Sequence, residues 1–342
     1  MQRKREWSHD RDNYNMENVI KGAVLGHVIG DVLGLPVEFY PRKRLTENPV
    51  DRMLSYGAHH MPMGTWSDDS SMMLCTIASI VEQQRIDFEN VMLYFSRWAK
   101  DGYMTPYGKS FGIGRTTLKA LGKFWRGEEA VSCGCATEKD NGNGSLMRIL
   151  PIVLYNAMAE PVPPLERRIR DIHSVSALTH SHSRTEIACG IYMFVLEEIL
   201  RGKNKLSVHV GLQKAREHYK NCIEIHAYER IFEAGFPNLP QDEIKSSGYI
   251  VDTIEAAVWC VLNTDCYSSC VLKAVNLGGD TDTIAAVAGG LAGAIYTFDG
   301  LPEEWLDCIV RKGDILQICD DFKNGICAGR AYQRMLETSF AL

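Results

Sequence analysis

The chain contains 342 residues, of which 45% are hydrophobic and 23% are charged. This length suits one large domain or two smaller ones. The composition is typical of soluble globular proteins and excludes a largely disordered chain. The 37 Lys and Arg residues against 43 Asp and Glu residues give a net charge of -6. Because no basic surplus is available to bind a phosphate backbone, we expect no nucleic-acid partner.

The N-terminus and the cysteines indicate the cellular environment. The first fifteen residues alternate in charge and lack the apolar segment of a secretory signal. The longest uncharged stretch, 283–298, is shorter than the ~18 residues that a membrane span requires. The pairs Cys133/Cys135 and Cys266/Cys270 lack the second pair that a zinc site would need. We therefore expect reduced cysteines, a cytoplasmic location, no membrane partner and, by default, a monomer.

Apolar residues recur at helical spacing from Glu17 onward, with few alternating runs. This pattern predicts an all-α protein, with a flexible tail over 1–15 and a single compact helical domain over 16–342. The breaks in the pattern predict loops at 41–49, 105–114, 132–144, 161–164 and 236–248. No long linker separates the helical segments, and the sequence contains no repeat of fixed period.

Two apolar segments are rich in glycine. One carries glycine at every fourth position, at Gly22, Gly26, Gly30 and Gly34. The other carries Gly289, Gly290 and Gly293. Each helical glycine costs ~1 kcal/mol relative to alanine, so a glycine face indicates close approach of another backbone. Packing between helices is a sufficient explanation, and we expect both helices to lie centrally.

Two further segments place carboxylates at the start of a predicted helix. In GTWSDDSSMM, Ser67 is a candidate cap, and Asp68 and Asp69 occupy the first turn. The buried face of this helix is predicted to contain Met73, Ile77, Ile80 and Val81.

In GGDTDTIAAVAGG, Gly278 and Gly279 form a turn before Asp280, Asp282 and Thr283. Residues two apart in a helix diverge by about 200°. Asp280 and Asp282 can therefore converge only if one of them precedes the regular helix.

Helix capping alone explains either carboxylate pair. Together, the four carboxylates and adjacent hydroxyls precede helices apolar enough to be buried, and such a cluster requires compensating positive charge. Oxygen ligands favour hard cations, so the pattern suggests two Mg²⁺ or Mn²⁺ ions if the segments meet. Zn²⁺ would favour additional His or Cys ligands.

Two other acidic residues lie in apolar surroundings. Asp31, within the first glycine-rich helix, is interpreted as a hydrogen-bonded structural residue. Glu38 follows Pro36, which ends the helix, and is either a ligand or gate of the site or a surface carboxylate. His59 and His60 are interpreted as a loop pair.

A loop of small polar residues precedes an apolar run and is a candidate anion-binding loop. It consists of Asn141, Gly142, Asn143, Gly144 and Ser145. Backbone N–H groups and a following helix start would favour an anion here. The loop matches neither GxxxxGK[ST] nor GxGxxG, and a simple turn is the alternative. His180 and His182 are either ligand contacts or capping and core residues.

The motifs GAVLGHVIGDVLGLPVEF, GTWSDDSSMM, NGNGSLMR, ALTHSHS and GGDTDTIAAVAGGLAGAIY stand in this order. In this respect the chain resembles the ADP-ribosylglycohydrolase family over about residues 17–305. This family includes the dinitrogenase reductase-activating glycohydrolase and the ADP-ribosylarginine hydrolases. The S-D-D and G-D-T-D-T motifs are the specific part of the resemblance.

The resemblance implies an orthogonal helical bundle with two Mg²⁺ or Mn²⁺ ions at the base of an ADP-ribose cleft. The implied metal ligands are Ser67, Asp68, Asp69, Asp280, Asp282 and Thr283. It also implies catalytic roles for Asp68, Asp69, Asp282 and Glu38, the last as a mobile glutamate near the metals. The loop 141–145 would hold the diphosphate and adjoining ribose, and His180 would face the ligand.

The implied activity is hydrolysis of the N-glycosidic bond of ADP-ribosyl-arginine in a modified protein by a metal-activated water, with ADP-ribose as product. The alternatives are an ADP-ribosyl-serine or small ADP-ribose conjugate substrate, or a non-catalytic ADP-ribose-binding protein. Two positions depart from the family pattern. Ser67 replaces a more common Thr and keeps the hydroxyl, whereas Gly112 replaces a common Asp, so a mechanism that relies on that carboxylate is in doubt.

Overall fold

The computed structural model describes residues 9–202 and 204–339, with side chains described for 15–202 and 204–328. Within these residues the chain forms α-helices and short 3₁₀ turns and contains no β-strand. The helices are α1 (His9–Gly34), α2 (Arg42–Glu47), α3 (Asp68–Gln83), α4 (Phe88–Asp101), α5 (Arg115–Phe124), α6 (Leu150–Met158), α7 (Leu165–Ala177), α8 (Ser183–Gly202), α9 (Leu206–Tyr219), α10 (Ile250–Leu262), α11 (Tyr267–Val275), α12 (Thr281–Tyr296), α13 (Glu303–Cys308) and α14 (Lys312–Ser339). The all-α prediction is confirmed.

The two glycine-rich helices, α1 and α12, pack directly against each other. A Cβ atom added at Gly26 would lie 2.6 Å from the carbonyl oxygen of Gly289, and one added at Gly22 would lie 2.5 Å from that of Gly293. One added at Gly30 would overlap the carbonyl group of Ala285. The glycine faces therefore put the two backbones in contact along several turns, as the spacing predicted.

The α1–α12 pair lies at the centre of the bundle. The segment Asn15–Val37 is long and apolar enough, by length and composition alone, to cross a membrane. In the structure 94% of its apolar window is buried, as expected of a core helix. Helices α3, α8, α10, α11 and α14 pack around the pair and complete the core.

Most predicted loops lack α-helix, but 41–49 contains α2, so that prediction is wrong. Pro41 precedes this helix in an extended conformation, and the Arg42 side chain donates hydrogen bonds to the carbonyls of Leu277 and Gln241. Contacts with distant loops therefore support a helix too short to show a periodic pattern.

The termini and the cysteines can be compared with the sequence predictions in part. Helix α1 begins at His9, inside the segment predicted as a tail, and residues 1–8 lie outside the described residues. The proposed boundary of the tail stays a prediction. All eleven cysteines are free thiols, and most are buried.

We expect Gly30→Ala to lower the free energy of unfolding by about 3 kcal/mol, because the methyl group must separate two backbones in the core. Urea unfolding measures this effect. Gly313→Ala is the matched control, since Gly313 is exposed in α14 and an added Cβ meets no atom within 4 Å. This control should change stability little or raise it slightly. Equal losses in the two variants would contradict the packing argument.

Candidate active site

The N-terminal ends of α3 and α12 meet beside the C-terminal end of α1. A Cβ at Gly34 would overlap the backbone of Asp282, and the Thr281 hydroxyl donates to the Gly34 carbonyl at 2.8 Å. The Asp31 carboxylate accepts hydrogen bonds from the backbone N–H groups of Ser67 and Ser70, at 2.9 and 3.1 Å. The last turn of α1 thus holds together the two acidic segments found in the sequence.

The start of α3 follows its local sequence. Ser67 is the N-cap, and its Oγ accepts a hydrogen bond from the Asp69 backbone N–H at 3.2 Å. The Ser67 hydroxyl donates to Asp69 Oδ2 at 3.0 Å. Asp69 Oδ1 is buried and has no hydrogen-bond partner among the described residues. Among the predicted core positions of this helix, Met73, Ile77 and Ile80 are buried, and Val81 is half-buried.

The start of α12 depends on its two preceding glycines. Gly278 and Gly279 both have φ of +73°, a conformation that favours glycine. Asp280 follows as a cap with φ -85° and ψ 72°, outside the regular helix, whereas Asp282 lies in the first turn. The condition for convergence of Asp280 and Asp282 is therefore met.

The carboxylates form two groups that share Asp282. Oxygen atoms of Asp31, Asp69 and Asp282 lie within 4.8 Å of one another. Oxygen atoms of Glu38, Asp280 and Asp282 form the second group within the same distance. We call these five residues the acidic cluster.

Sequence reasoning did not assign Asp31 to the site. Its hydrogen bonds match the structural role that was expected, but its carboxylate also lies inside the cluster. The available signal was an acidic residue within an apolar helix. Asp68, by contrast, belongs to neither group and is half-buried at the side of the cluster.

Burial and mutual repulsion disfavour ionisation in the acidic cluster. Burial raises the pKa of Asp31 to about 6. Burial and the charge of Asp31 raise the pKa of Asp69 well above its ordinary value, and burial and the charge of Glu38 do the same for Asp282. Within the described residues, Asp31, Asp69, Asp280 and Asp282 accept no hydrogen bond from Lys or Arg. Within the described residues these four carboxylates therefore lack the cationic hydrogen-bond partners that normally offset such burial.

The donor set of the cluster fits hard divalent cations. All its ligand atoms are carboxylate oxygens, the Ser67 and Thr283 hydroxyls lie beside them, and neither group includes His or Cys. Such a set suits Mg²⁺ or Mn²⁺ better than Zn²⁺. The unpartnered Asp69 Oδ1 is a buried oxygen that a cation would satisfy.

Glu38 has a partner that the sequence did not reveal. The His59 ring Nε2 contacts Glu38 Oε2, and this contact raises the pKa of His59. The ring centroid of His59 also lies 6.0 Å from that of Phe111. The loop histidine therefore connects Glu38 to the segment that carries Gly112.

Gly112 lies directly against Asp68. A Cβ at Gly112 would overlap Asp68 Oδ1 and lie 3.1 Å from Asp68 Cγ, and the residue has φ of +79°. This position therefore brings backbone, and no carboxylate, to the side of the cluster.

The candidate anion-binding loop touches the acidic cluster through Asn143. The Asn143 Nδ2 group donates to Asp280 Oδ2 at 2.6 Å and to Thr253 Oγ1 at 2.9 Å. On its other side the loop meets His180, since a Cβ at Gly144 would lie 2.8 Å from the His180 ring. His182 lies 3.6 Å from Glu138. The structure thus places the loop between the carboxylates, which it contacts through Asn143, and the His180 ring at Gly144.

The prediction that an α-helix begins directly after this loop is wrong. A 3₁₀ turn, Leu146–Arg148, follows Ser145, and α6 begins only at Leu150. Pro151 lies in the first turn of α6, where its missing N–H is tolerated. Because no α-helix begins directly after it, the loop would have to bind an anion through its own N–H groups and neighbouring side chains.

The sequence model that describes ADP-ribosylglycohydrolases matches residues 12–332. The chain belongs to the ADP-ribosylglycohydrolase family. It is 33% identical to an ADP-ribosylarginine hydrolase of Serratia proteamaculans over 303 residues, which cover 88% of this chain and 77% of that protein. It is 29% identical to the ADP-ribosyl-[dinitrogen reductase] glycohydrolase of Rhodospirillum rubrum, with 85% and 90% covered.

A solved structure described as an ADP-ribosylglycohydrolase-related protein complex is also similar. It superimposes with a TM-score of 0.76 at 28% identity and covers 92% of this chain and 99% of that one. The fold of this ADP-ribosylglycohydrolase is therefore shared over nearly its whole length.

Adding Mg²⁺ or Mn²⁺ to chelator-treated ADP-ribosylglycohydrolase should raise its Tm, and the rise should grow from about pH 5 to about pH 7.5. Carboxylates with raised pKa values keep protons on folding, so the cation-free protein loses stability as pH increases from about 4 through the pKa of about 6 of Asp31. At low pH a cation must displace these protons. Scanning fluorimetry over this range measures the effect.

Asp69→Asn should reduce the rise in Tm at every pH. The control is Asp171→Asn, because Asp171 on α7 is also buried and its pKa is also raised by burial. This variant should respond to the cation as the wild type does. A rise in Tm that is largest at pH 5 would contradict the assignment.

Gly112→Ala should weaken the response to Mg²⁺ by at least about ten-fold in apparent affinity, because the methyl group displaces Asp68. Gly108→Ala provides a matched control, since Gly108 has a similar φ of +74° but no atom within 4 Å of an added Cβ. Both variants carry the same backbone strain. If both lose affinity equally, strain and not the contact with Asp68 is the cause.

Proposed function

We propose that this protein is a metal-dependent hydrolase that removes ADP-ribose from modified arginine side chains of proteins. The observation that carries the proposal is the arrangement of five acidic residues at the α1–α12 junction in two sets of three, with Asp282 in both sets. The arginine linkage is favoured because relatives at 33% and 31% identity are named ADP-ribosylarginine hydrolases. Cytoplasmic location and a monomeric state stay predictions.

Two Mg²⁺ or Mn²⁺ ions are the cofactors that we propose. The residues that would hold them are Asp31, Glu38, Ser67, Asp68, Asp69, Asp280, Asp282 and Thr283. When bound, such ions supply Lewis-acid activation of water at neutral pH and bind ribose hydroxyls. Two ions would also offset the burial and the repulsion that raise the pKa values of Asp69 and Asp282.

Hydrolysis adds water across the bond between the anomeric carbon and the guanidinium nitrogen. The oxygen of water ends on carbon, and a proton ends on the departing nitrogen. A carboxylate must first accept a proton from the water. Asp69 and Asp282 are buried in the cluster, whereas Asp68 and Glu38 lie on its more exposed side. We assign proton acceptance to Asp68 and Glu38 for this reason.

The remainder of the ligand would lie over the loop 141–145. The Asn143 side chain is already committed to Asp280 and Thr253, so it fixes the loop relative to the cluster. The His180 ring lies so close to Gly144 that this position has no room for a side chain. We propose that N–H groups of this loop bind the diphosphate and the adjoining ribose.

The carboxylates also weigh against a purely binding role. Holding several mutually repelling carboxylates in a core costs stability, and recognition of ADP-ribose alone does not require them. ADP-ribosyl-serine and small ADP-ribose conjugates stay as alternative substrates of the same site.

The deciding measurement is release of ADP-ribose from arginine-modified protein with and without Mg²⁺ or Mn²⁺, with serine-modified peptide and O-acetyl-ADP-ribose in parallel. Asp68→Asn and Asp280→Asn should each reduce the rate by about 100-fold or more. Asp171→Asn, which changes a residue of α7 that belongs to neither carboxylate group, should retain the wild-type rate. Metal-independent activity, or full activity in both site variants, would refute the proposal.

A further inference from the structure

Arg148 is an arginine buried without a counter-ion. It is 0% exposed and is among the largest fully buried side chains, and within the described residues its hydrogen bonds go to a carbonyl and a hydroxyl, with no carboxylate among its partners. Its Nη1 donates to the Val175 carbonyl at 3.0 Å, and its guanidinium lies over the Phe95 ring. Because burying such a charge is costly, this position calls for an explanation beyond packing.

The second contact of the guanidinium leads to His180. Arg148 Nη2 donates to Thr179 Oγ1 at 2.8 Å, and the same Oγ1 lies 2.7 Å from His180 Nδ1. A guanidinium only donates hydrogen bonds, so the Thr179 oxygen is the acceptor in the first contact. Thr179 Oγ1 has no third partner among the described residues, which leaves the imidazole nitrogen as the acceptor for its hydroxyl hydrogen.

This chain of donors fixes the position of the imidazole proton. If Nδ1 accepts from Thr179, a neutral ring carries its hydrogen on Nε2. The opposite tautomer would leave the Thr179 hydroxyl hydrogen buried without an acceptor. Burial and the positive charge of Arg148 lower the pKa of His180 to about 3, so the ring is neutral near pH 7.

The Nε2 side of the ring faces the candidate anion-binding loop. A Cβ at Gly144 would lie 3.3 Å from Nε2, and one at Gly142 would lie 3.7 Å from it. Within the described residues no group forms a hydrogen bond with Nε2. The ring therefore offers an unused N–H donor beside the loop.

We infer that Arg148 and Thr179 are positioning residues that hold His180 as the Nε2–H tautomer. The ring, which the family resemblance already places toward the ligand, then presents an N–H donor to a phosphate oxygen of a nucleoside diphosphate. The identity of this ligand rests on the proposed function. The tautomer does not, because it follows from hydrogen bonds within the protein.

Two measurements on the full-length, Mg²⁺-loaded protein test the inference. Nitrogen NMR of histidine-labelled protein, with His180 assigned by a His180→Gln variant, should show the Nε2–H tautomer in the wild type. Thr179→Val should abolish this preference and weaken ADP-ribose binding by about ten-fold in calorimetry. Thr179→Ser keeps the hydroxyl and should restore both.

Thr185→Val is the matched control. Thr185 is also fully buried, and its hydroxyl lies 2.7 Å from the backbone carbonyl oxygen of His182 and 3.0 Å from that of His180, so its hydrogen bonds are to the backbone. The Thr185→Val variant should leave the tautomer of His180 unchanged. An Nδ1–H tautomer in the wild type overturns the inference without any variant, as does equal loss of ADP-ribose affinity in Thr179→Val and Thr185→Val. If the wild type shows the Nε2–H tautomer but binds no ADP-ribose, the proposed function fails and the positioning role stands.

Discussion

The direct backbone contact between α1 and α12 is the constraint on which the rest of the structure depends. Glycine faces on both helices remove the side chains that would keep the backbones apart, and residues adjacent to these glycines form the site. Asp31 follows Gly30, and Gly34 lies against the backbone of Asp282. The packing of two apolar helices therefore positions carboxylates that would otherwise repel one another.

The carboxylates of the acidic cluster are consequently held together by helix packing and by neighbouring hydrogen-bond donors, and not by attraction to one another. Backbone N–H groups and hydroxyls at the start of α3 orient Asp31 and Asp69, and the Asn143 amide orients Asp280. None of these groups carries a full positive charge, so the repulsion between carboxylates is left for cations to offset. The same arrangement that makes the clustered carboxylates unfavourable by themselves makes them suitable ligands for divalent ions.

Neutral donors also lie on the other side of the candidate anion-binding loop. Arg148 is charged, but it reaches the loop only through the Thr179 hydroxyl and the neutral His180 ring. The charge of Arg148 therefore acts on the loop through neutral groups, which present a directed N–H group there. Under the proposed function, Arg148 would orient a donor toward the ligand through Thr179 and His180 without contacting the ligand itself.

The sequence by itself determined the features that depend on neighbouring residues. The all-α fold, the Ser67 cap, the turn at Gly278 and Gly279, and the glycine faces all follow from local propensity, capping or spacing. The resemblance to the ADP-ribosylglycohydrolase family, carried by the same short motifs, also required no coordinates.

Only the tertiary structure decided which of these features meet. Asp31 contacts Ser67 across 36 residues, and Asn143 contacts Asp280 across 137. The partner of Glu38 and the helix α2 likewise depend on contacts between distant segments. No local pattern records such pairings, because they result from how the helices pack. The residue types available for the chemistry are therefore set by local sequence, and their common site is set by the close contact of α1 and α12.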